Sequence, residues 1–289
     1  MRKGRVAIIG TGNIGSDLLV KILRSPILEC SYFIGRNYNS KGMQFASQFN
    51  IPLSDKSINT IIENPECCDI VMDCTSAAVH NYNAPLLRKL GKFVIDLTPS
   101  QIGEMCIPAL NGNQCLNAWN INLITCGGQA TVPIAYAIKE ACDKIDYFEM
   151  VSVISSKSAG PGTRDNIDEF TQTTKKALNN FTGVNNAKAI ITLNPAEPPI
   201  LMHNTLYTIA KAYNLESIRE SVKKMEDKIR SYVPGYKITI PPTEESGRLV
   251  TMVTVTGLGD YLPPYSGNLD IITCAAVKMA EEFSIKKLS

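Results

Sequence analysis

The first apolar positions form an unbroken run, Val6, Ala7, Ile8 and Ile9, which stops at Gly10; apolar residues then return at Leu18, Leu19, Ile22 and Leu23. A continuous apolar run predicts a strand buried on both faces, and the spacing that follows predicts a helix with one apolar side. Residues 30–35, 69–75 and 92–98 read as further buried strands. Strands alternating with helical stretches predict an α/β doubly wound parallel sheet of the Rossmann type.

Beyond residue 126 the pattern changes. From Gln129 onward the sequence ATVPIAYAIKEA continues with helical spacing, and residues 149–156, 186–193 and 248–256 are β-branched runs. Ile167, Phe170, Leu178 and Phe181 mark one amphipathic helix, and Ile218, Val222, Met225 and Ile229 another. Strands in succession with helices grouped among them predict an α+β sheet with one face under helices and the other free to pair with a second subunit. The domain junction is expected near Cys126.

Composition narrows the class. The chain has 289 residues, 44% of them hydrophobic, enough for a sizeable core and for two domains. A net charge of +2 gives no reason to expect nucleic acid or an anionic membrane surface as partner. The first apolar run is too short and too glycine-interrupted for a signal peptide, and no stretch is long enough to span a bilayer. Nine cysteines without framework spacing suit a reducing cytoplasm. With two histidines and no paired C-x-x-C knuckles, no metal site is expected.

Two motifs carry chemistry. Gly10, Thr11, Gly12, Asn13, Ile14 and Gly15 form G-x-G-x-x-G with a strand before and a helix after, the context that a dinucleotide site requires. Gly10 permits the turn, Gly12 the approach of the pyrophosphate, and Gly15 the packing of helix on strand, with the phosphates at the helix N-terminus. The second strand ends in Gly35-Arg36-Asn37, where such folds usually place a ribose-binding carboxylate. Arg36 either pairs with a 2′-phosphate or stacks on adenine while Asn37 and Ser40 bond the ribose, so NAD and NADP both stay open. Thr75, Ser76 and Thr98, at strand ends, are candidate cofactor contacts or ordinary helix caps.

The second motif is Cys126, between an apolar run and Gly127-Gly128, just before the expected helix start at Gln129. A helix N-terminus stabilises a thiolate, and two glycines would let a substrate carbonyl reach the backbone amides. The alternative is an inert buried cysteine closing a core strand.

Together, GTGNIG, ITCGGQATVP, SAGPGTR, NPAEPP and SGNLDIITCAA resemble the acylating, coenzyme-A-dependent acetaldehyde dehydrogenases of aromatic meta-cleavage pathways, over residues 4 to about 283. The resemblance implies a Rossmann domain, residues 1–125 and 266–289, and a catalytic and oligomerisation domain, residues 126–265, of the glyceraldehyde-3-phosphate dehydrogenase-like type. It implies NAD (or NADP) as cofactor, coenzyme A as co-substrate, a homo-oligomer, and a 4-hydroxy-2-oxovalerate aldolase as partner. Cys126 matches the acyl-thioester nucleophile, and residues 11–14 the pyrophosphate loop. Ser156, Lys157, Ser158, Ala159, Gly160, Pro161, Gly162, Thr163 and Arg164 match a second cofactor-contacting loop, and Asn268 a nicotinamide contact. Backbone amides near Cys126 and the Gln129 side chain would hold the oxyanion.

The chain departs from the family after NPAEPP. Relatives often carry an Arg-Asp pair whose aspartate is regarded as the base or its orienting partner, whereas here the residues are His203-Asn204. An amide accepts no proton at neutral pH. Either His203 serves as base, a water serves, or the aspartate is not essential to proton transfer. A phosphorylating semialdehyde dehydrogenase and a non-catalytic cofactor-binding regulator or aldolase scaffold are the competing readings.

Overall fold

The computed structural model describes residues 2–160, 164 and 167–288. Contacts group these into two units. One holds the chain up to Leu123, Asp260–Leu262 and the stretch from Ile272 onward; the other holds Ile124–Gly259 and Pro263–Ile271.

The first unit is a seven-stranded sheet. Its strands are β1 (Gly4–Ile9), β2 (Leu28–Ile34), β3 (Leu53–Ser54), β4 (Ile70–Asp73), β5 (Phe93–Asp96), β6 (Glu104–Met105) and β7 (Asn120–Asn122). They lie in the order β3-β2-β1-β4-β5-β7-β6, every pair parallel. Helices α1 (Asn13–Arg24), α2 (Lys41–Ala46), α3 (Asn59–Glu63), α4 (Ala77–Lys89) and α5 (Pro108–Cys115) make the connections. This is the doubly wound parallel sheet that the alternating pattern predicts. Every residue of β4 and β5 is buried, which is why these strands read as unbroken apolar runs. Ala7, Ile9, Val71 and Val94 share one core cluster with Ile34, Ile61 and Leu87. On α1, Leu18, Leu19 and Ile22 are fully buried but Leu23 is 41% exposed, since the apolar stripe ends with the last turn.

The second unit is a mixed sheet of β8 (Cys142–Ser155), β9 (Ala187–Asn194), β10 (Met202–Tyr213), β11 (Tyr236–Glu245) and β12 (Arg248–Val255), in the order β11-β12-β10-β8-β9. β8 and β9 are parallel; the other pairs are antiparallel. Helices α6 (Cys126–Glu140), α7 (Ile167–Thr182) and α8 (Leu215–Arg230) pack on one face. Along β10 the side chains alternate: Met202, Asn204, Leu206 and Thr208 are buried, whereas His203, Thr205 and Tyr207 are half-buried and Ile209 is exposed. The last helix, α9 (Gly267–Lys287), has its first residues in this unit and the rest in the first.

Two strands escape a hydropathy reading. β10 carries Asn204 and Thr208 among its core positions, and β11 contains Pro241-Pro242, where its pairing with β12 shifts register. Helix α6 begins at Cys126, three residues earlier than its apolar spacing suggests. The reason is local. Thr125 caps it, the hydroxyl accepting from the Gly128 N–H at 2.9 Å while the Thr125 carbonyl accepts from Gln129 N at 2.8 Å.

Candidate active site

In the first unit, Gly10 has φ +115, a conformation that side chains rarely adopt, and a Cβ there would lie 2.7 Å from the Cys74 carbonyl oxygen. A Cβ on Gly15 would lie 1.9 Å from the Gly10 carbonyl oxygen. Gly12 differs: a Cβ would meet nothing within 4 Å. Gly12 is also the N-cap of α1, with no side-chain cap, so the first-turn amides beside Asn13 and Ile14 are left to a ligand. An uncapped helix start next to open space fits a pyrophosphate. Thr11 is fixed by a 3.2 Å hydrogen bond between its hydroxyl and that of Ser40, which caps α2. Arg36 is exposed and makes no ion pair among the described residues.

Thr75 and Thr98 are engaged by buried carboxylates. The Thr75 hydroxyl and N–H donate to Asp73 at 2.5 and 3.1 Å, and the Thr98 N–H donates to Asp96 at 2.7 Å. Ser76 caps α4, accepting from Val79 N. The sequence reading missed these aspartates because each closes an apolar run and looks like the end of a strand.

In the second unit, Cys126 is half-buried at the first position of α6. Two residues before it, Ile124 has φ +55, a left-handed backbone that is costly for a β-branched residue and is the kind of strain found at functional turns. The Thr125 hydroxyl also bonds that of Thr174 on α7 at 2.6 Å, locking the turn to the neighbouring helix. Burial pushes the Cys126 thiol up to about 12; the N–H groups of Gly127 and of Cys126 itself pull it the other way. Burial and the helix-start amides thus act on this thiol in opposite directions.

The glycines after Cys126 are also reassigned. A Cβ on Gly127 would lie 2.9 Å from the ends of Met150 and Phe170, and one on Gly128 would lie 2.6 Å from Ile124. They let the helix start seat against β8 and α7, and that space is already filled by side chains. Gln129 is buried one turn into α6.

β10 separates the two candidate proton-handling residues. Asn204 lies on the helix-covered face, opposite Ser152 of β8, and the Ser152 Cβ is 3.5 Å from where a Gly127 Cβ would be. Asn204 and Ser152 are fully buried, and both amide atoms of Asn204 and the Ser152 hydroxyl lack hydrogen-bond partners among the described residues. His203 points to the opposite face, its Nδ1 3.0 Å from the Thr254 hydroxyl. Successive strand residues cannot share a face, so His203 is turned away from the side that carries Cys126.

Of the segment expected to form a second cofactor loop, Pro161, Gly162 and Thr163 lie outside the described residues. Ser156, Lys157 and Ser158 form a short 3-10 turn capped by Ser155. Arg164 donates to the carbonyls of Ala159 and Ser156 at 3.1 and 2.7 Å, and Lys157 pairs with Glu197. Gly160 follows, with open space where a Cβ would be. Asn268 comes to this loop: its Nδ2 donates to the Ser158 carbonyl at 3.3 Å, while its buried Oδ1 has no partner among the described residues.

Residues 5–114 match the family model described as semialdehyde dehydrogenase, NAD binding domain, and residues 126–263 match prokaryotic acetaldehyde dehydrogenase, dimerisation. The chain is 50% identical to the acetaldehyde dehydrogenase of Spirochaeta aurantia, over 97% of this chain and 94% of that one. It is 48% identical to the acetaldehyde dehydrogenase of Pectobacterium atrosepticum, over 98% and 96%. Among solved structures it is similar to aspartate semialdehyde dehydrogenase II of Vibrio cholerae, with TM-score 0.69 at 12% identity over 99% of this chain and 100% of that one. At that identity the likeness shows the fold alone: a parallel sheet in one unit and a mixed sheet in the other. No helix among the described residues is long and apolar enough to cross a membrane.

Proposed function

Since the chain belongs to the acetaldehyde dehydrogenase family, we propose that it oxidises acetaldehyde, or a short aliphatic aldehyde, to acetyl-CoA, with NAD as hydride acceptor and coenzyme A as acyl acceptor. The observation that carries this reading is the position of Cys126 at the capped start of α6, behind a strained Ile124. On this reading residues 1–125 and 266–289 serve the dinucleotide, and residues 126–265 serve catalysis and self-association through the open face of the mixed sheet. An aldolase that releases the aldehyde is the partner it calls for.

The Cys126 sulfur attacks the aldehyde carbon, giving a thiohemiacetal on the sulfur. The new oxyanion falls to the first amides of α6, with the Gln129 side chain as second donor. Bound NAD supplies the hydride acceptor, and the hydride leaves the thiohemiacetal carbon as its hydroxyl loses a proton, so that an acetyl thioester remains on Cys126. The thiol of coenzyme A then takes the acetyl group and returns Cys126 to its starting state.

Proton removal falls to a water on the Asn204 side of the sheet. An amide is no base, but its unpartnered Nδ2 and Oδ1, with the Ser152 hydroxyl, can hold and orient a water. His203 is set aside on geometry. Arg36, exposed where a carboxylate is usual, leaves room for a 2′-phosphate, and NADP is proposed as a slower alternative.

The decisive experiment is NADH formation from acetaldehyde and NAD, with and without coenzyme A. The expected result is steady turnover with coenzyme A and, without it, one burst per Cys126. A chain that binds NADH yet shows neither burst nor turnover would be a regulator instead.

A further inference from the structure

Two carboxylates stand side by side at the carboxyl ends of β4 and β5. Asp73 and Asp96 are register partners, both fully buried, in the part of a parallel sheet against which a nucleotide binds. Between them sits His80 of α4, also fully buried. Its Nδ1 is 2.9 Å from Asp73 Oδ2 and its Nε2 is 3.5 Å from Asp96 Oδ2. Asn83 donates to Asp73 at 3.0 Å. Asp73 Oδ1 receives the Thr75 N–H and hydroxyl and Asp96 Oδ1 the Thr98 N–H, while Asp96 Oδ2, the oxygen that faces His80, receives the Ser100 hydroxyl at 2.5 Å and Asn122 Nδ2 at 2.8 Å.

Two buried carboxylates around a neutral ring would leave two negative charges without water, an arrangement that proteins avoid. A proton on the ring halves the net charge and sets a positive group 2.9 Å from Asp73 Oδ2 and 3.5 Å from Asp96 Oδ2. Asn120 of β7 fits both states. Its Nδ2 lies 3.0 Å from His80 Nε2 and its buried Oδ1 has no partner among the described residues. Turning that amide over presents the oxygen to an Nε2–H.

We propose that His80 is a positioning residue for the cofactor site: as an imidazolium it clamps Asp73 and Asp96, and through them sets the backbone of residues 74–76 and 98–100 that meets the dinucleotide. The inference rests on the NAD reading above. Burial alone would lower the His80 pKa; the hydrogen bond to Asp73 and the charges of Asp96 and Asp73 outweigh it and hold it raised. Asp73 shows the counterpart: burial opposes ionisation, but donors from His80, Thr75 and Asn83 keep its carboxyl below the usual range. The other groups facing the cluster carry no charge. Asn120 comes from β7, Asn83 from α4, and the Cys74 thiol on the loop is pushed up by burial and by both carboxylates.

A raised imidazole pKa contributes fully below the free value, about 6.5, and its contribution is lost as pH rises through the folded value. Cofactor affinity should therefore be greatest below the free value and fall as pH rises through the folded value. Because the chain has two histidines, a ¹⁵N-imidazole NMR titration with His203→Gln as the assignment control reads His80 directly.

The test pairs that titration with NADH fluorescence binding from pH 6 to 9.5 for the wild type, His80→Gln and Asp96→Asn. His80→Gln should weaken NADH binding about tenfold at pH 7, as loss of a charge-assisted bond to a buried carboxylate would, and should abolish the alkaline limb. Asp96→Asn should move the His80 titration and the alkaline limb together to lower pH, which a merely structural role would not do; it also serves if His80→Gln fails to fold. A His80 that titrates no higher than a free imidazole, or a wild-type affinity that does not fall as the ring loses its proton, overturns the proposal. Failure of the wild type to bind NADH at all refutes the cofactor reading and the positioning role with it, whereas normal binding with a His80 that titrates no higher than a free imidazole refutes the positioning role alone.

Discussion

The chain contains two helix starts rich in glycine, and they solve opposite problems. At α1 the cap is Gly12, which offers no side chain, and its neighbourhood is open, so the first-turn amides are available to a ligand. At α6 the cap is Thr125, whose hydroxyl takes the Gly128 amide and holds Thr174, while Gly127 and Gly128 are enclosed by Met150, Phe170 and Ile124. The first start leaves its backbone amides uncapped beside open space, which suits the proposed pyrophosphate site. The second is a mount for one side chain, the Cys126 thiol. Glycine marks both in sequence, but in one it makes room for a ligand and in the other for the protein itself.

The largest effect that tests this contrast is at the mounted side chain. Cys126→Ala should reduce aldehyde-dependent NADH formation by at least roughly 10³-fold, with NADH binding unchanged, because the amides at α1 are untouched. Retained turnover would falsify the thioester.

Alanine at each helix start should separate the two kinds of glycine. Gly12→Ala places its methyl in open space, so the melting temperature should hold while NADH binding weakens by about tenfold or more. Gly127→Ala forces a methyl against Met150 and Phe170 at 2.9 Å. It should cost about 1–3 kcal/mol of stability, measured by urea unfolding, and leave NADH binding intact. Equal loss of binding in both variants would erase the distinction.

Smaller in size is the pH response of the thiol. With burial pushing Cys126 up to about 12, its alkylation by iodoacetamide in the cofactor-free protein should rise about tenfold per pH unit from pH 7 to 9 and keep rising beyond. The same shift makes the folded state prefer the neutral thiol. Its contribution to stability is full below the free thiol pKa near 8.5 and is lost as pH climbs towards the folded value. A labelling rate that levels off by pH 8 would show an activated thiolate at α6 without help from a ligand.

The smallest expected effect is at His203. On the face of β10 away from α6, His203→Ala should change single-turnover NADH formation less than about twofold, far below the roughly 10²–10⁴-fold that losing a general base costs. A larger loss, with a pH profile that loses an imidazole pKa, would return the histidine to the mechanism.

What could be read from the chain alone follows from short-range rules. A run such as Val6–Ala7–Ile8–Ile9 is apolar because both faces of a parallel sheet are covered, and G-x-G-x-x-G needs no distant residue to bend the backbone, so the sheet, the turn and Cys126 as candidate were all legible in order along the sequence. β10 was not legible, since Asn204 and Thr208 stand in it where apolar residues are usual. Neither was the division of His203 from Asn204, because which face each occupies depends on strand register, set only when β8 and β12 pair on either side. The state of the Cys126 thiol and the clustering of Asp73, His80 and Asp96 likewise belong to the tertiary structure. Desolvation and charge act through space between groups as far apart in sequence as Asp96 and His80, and only the folded chain brings them within reach.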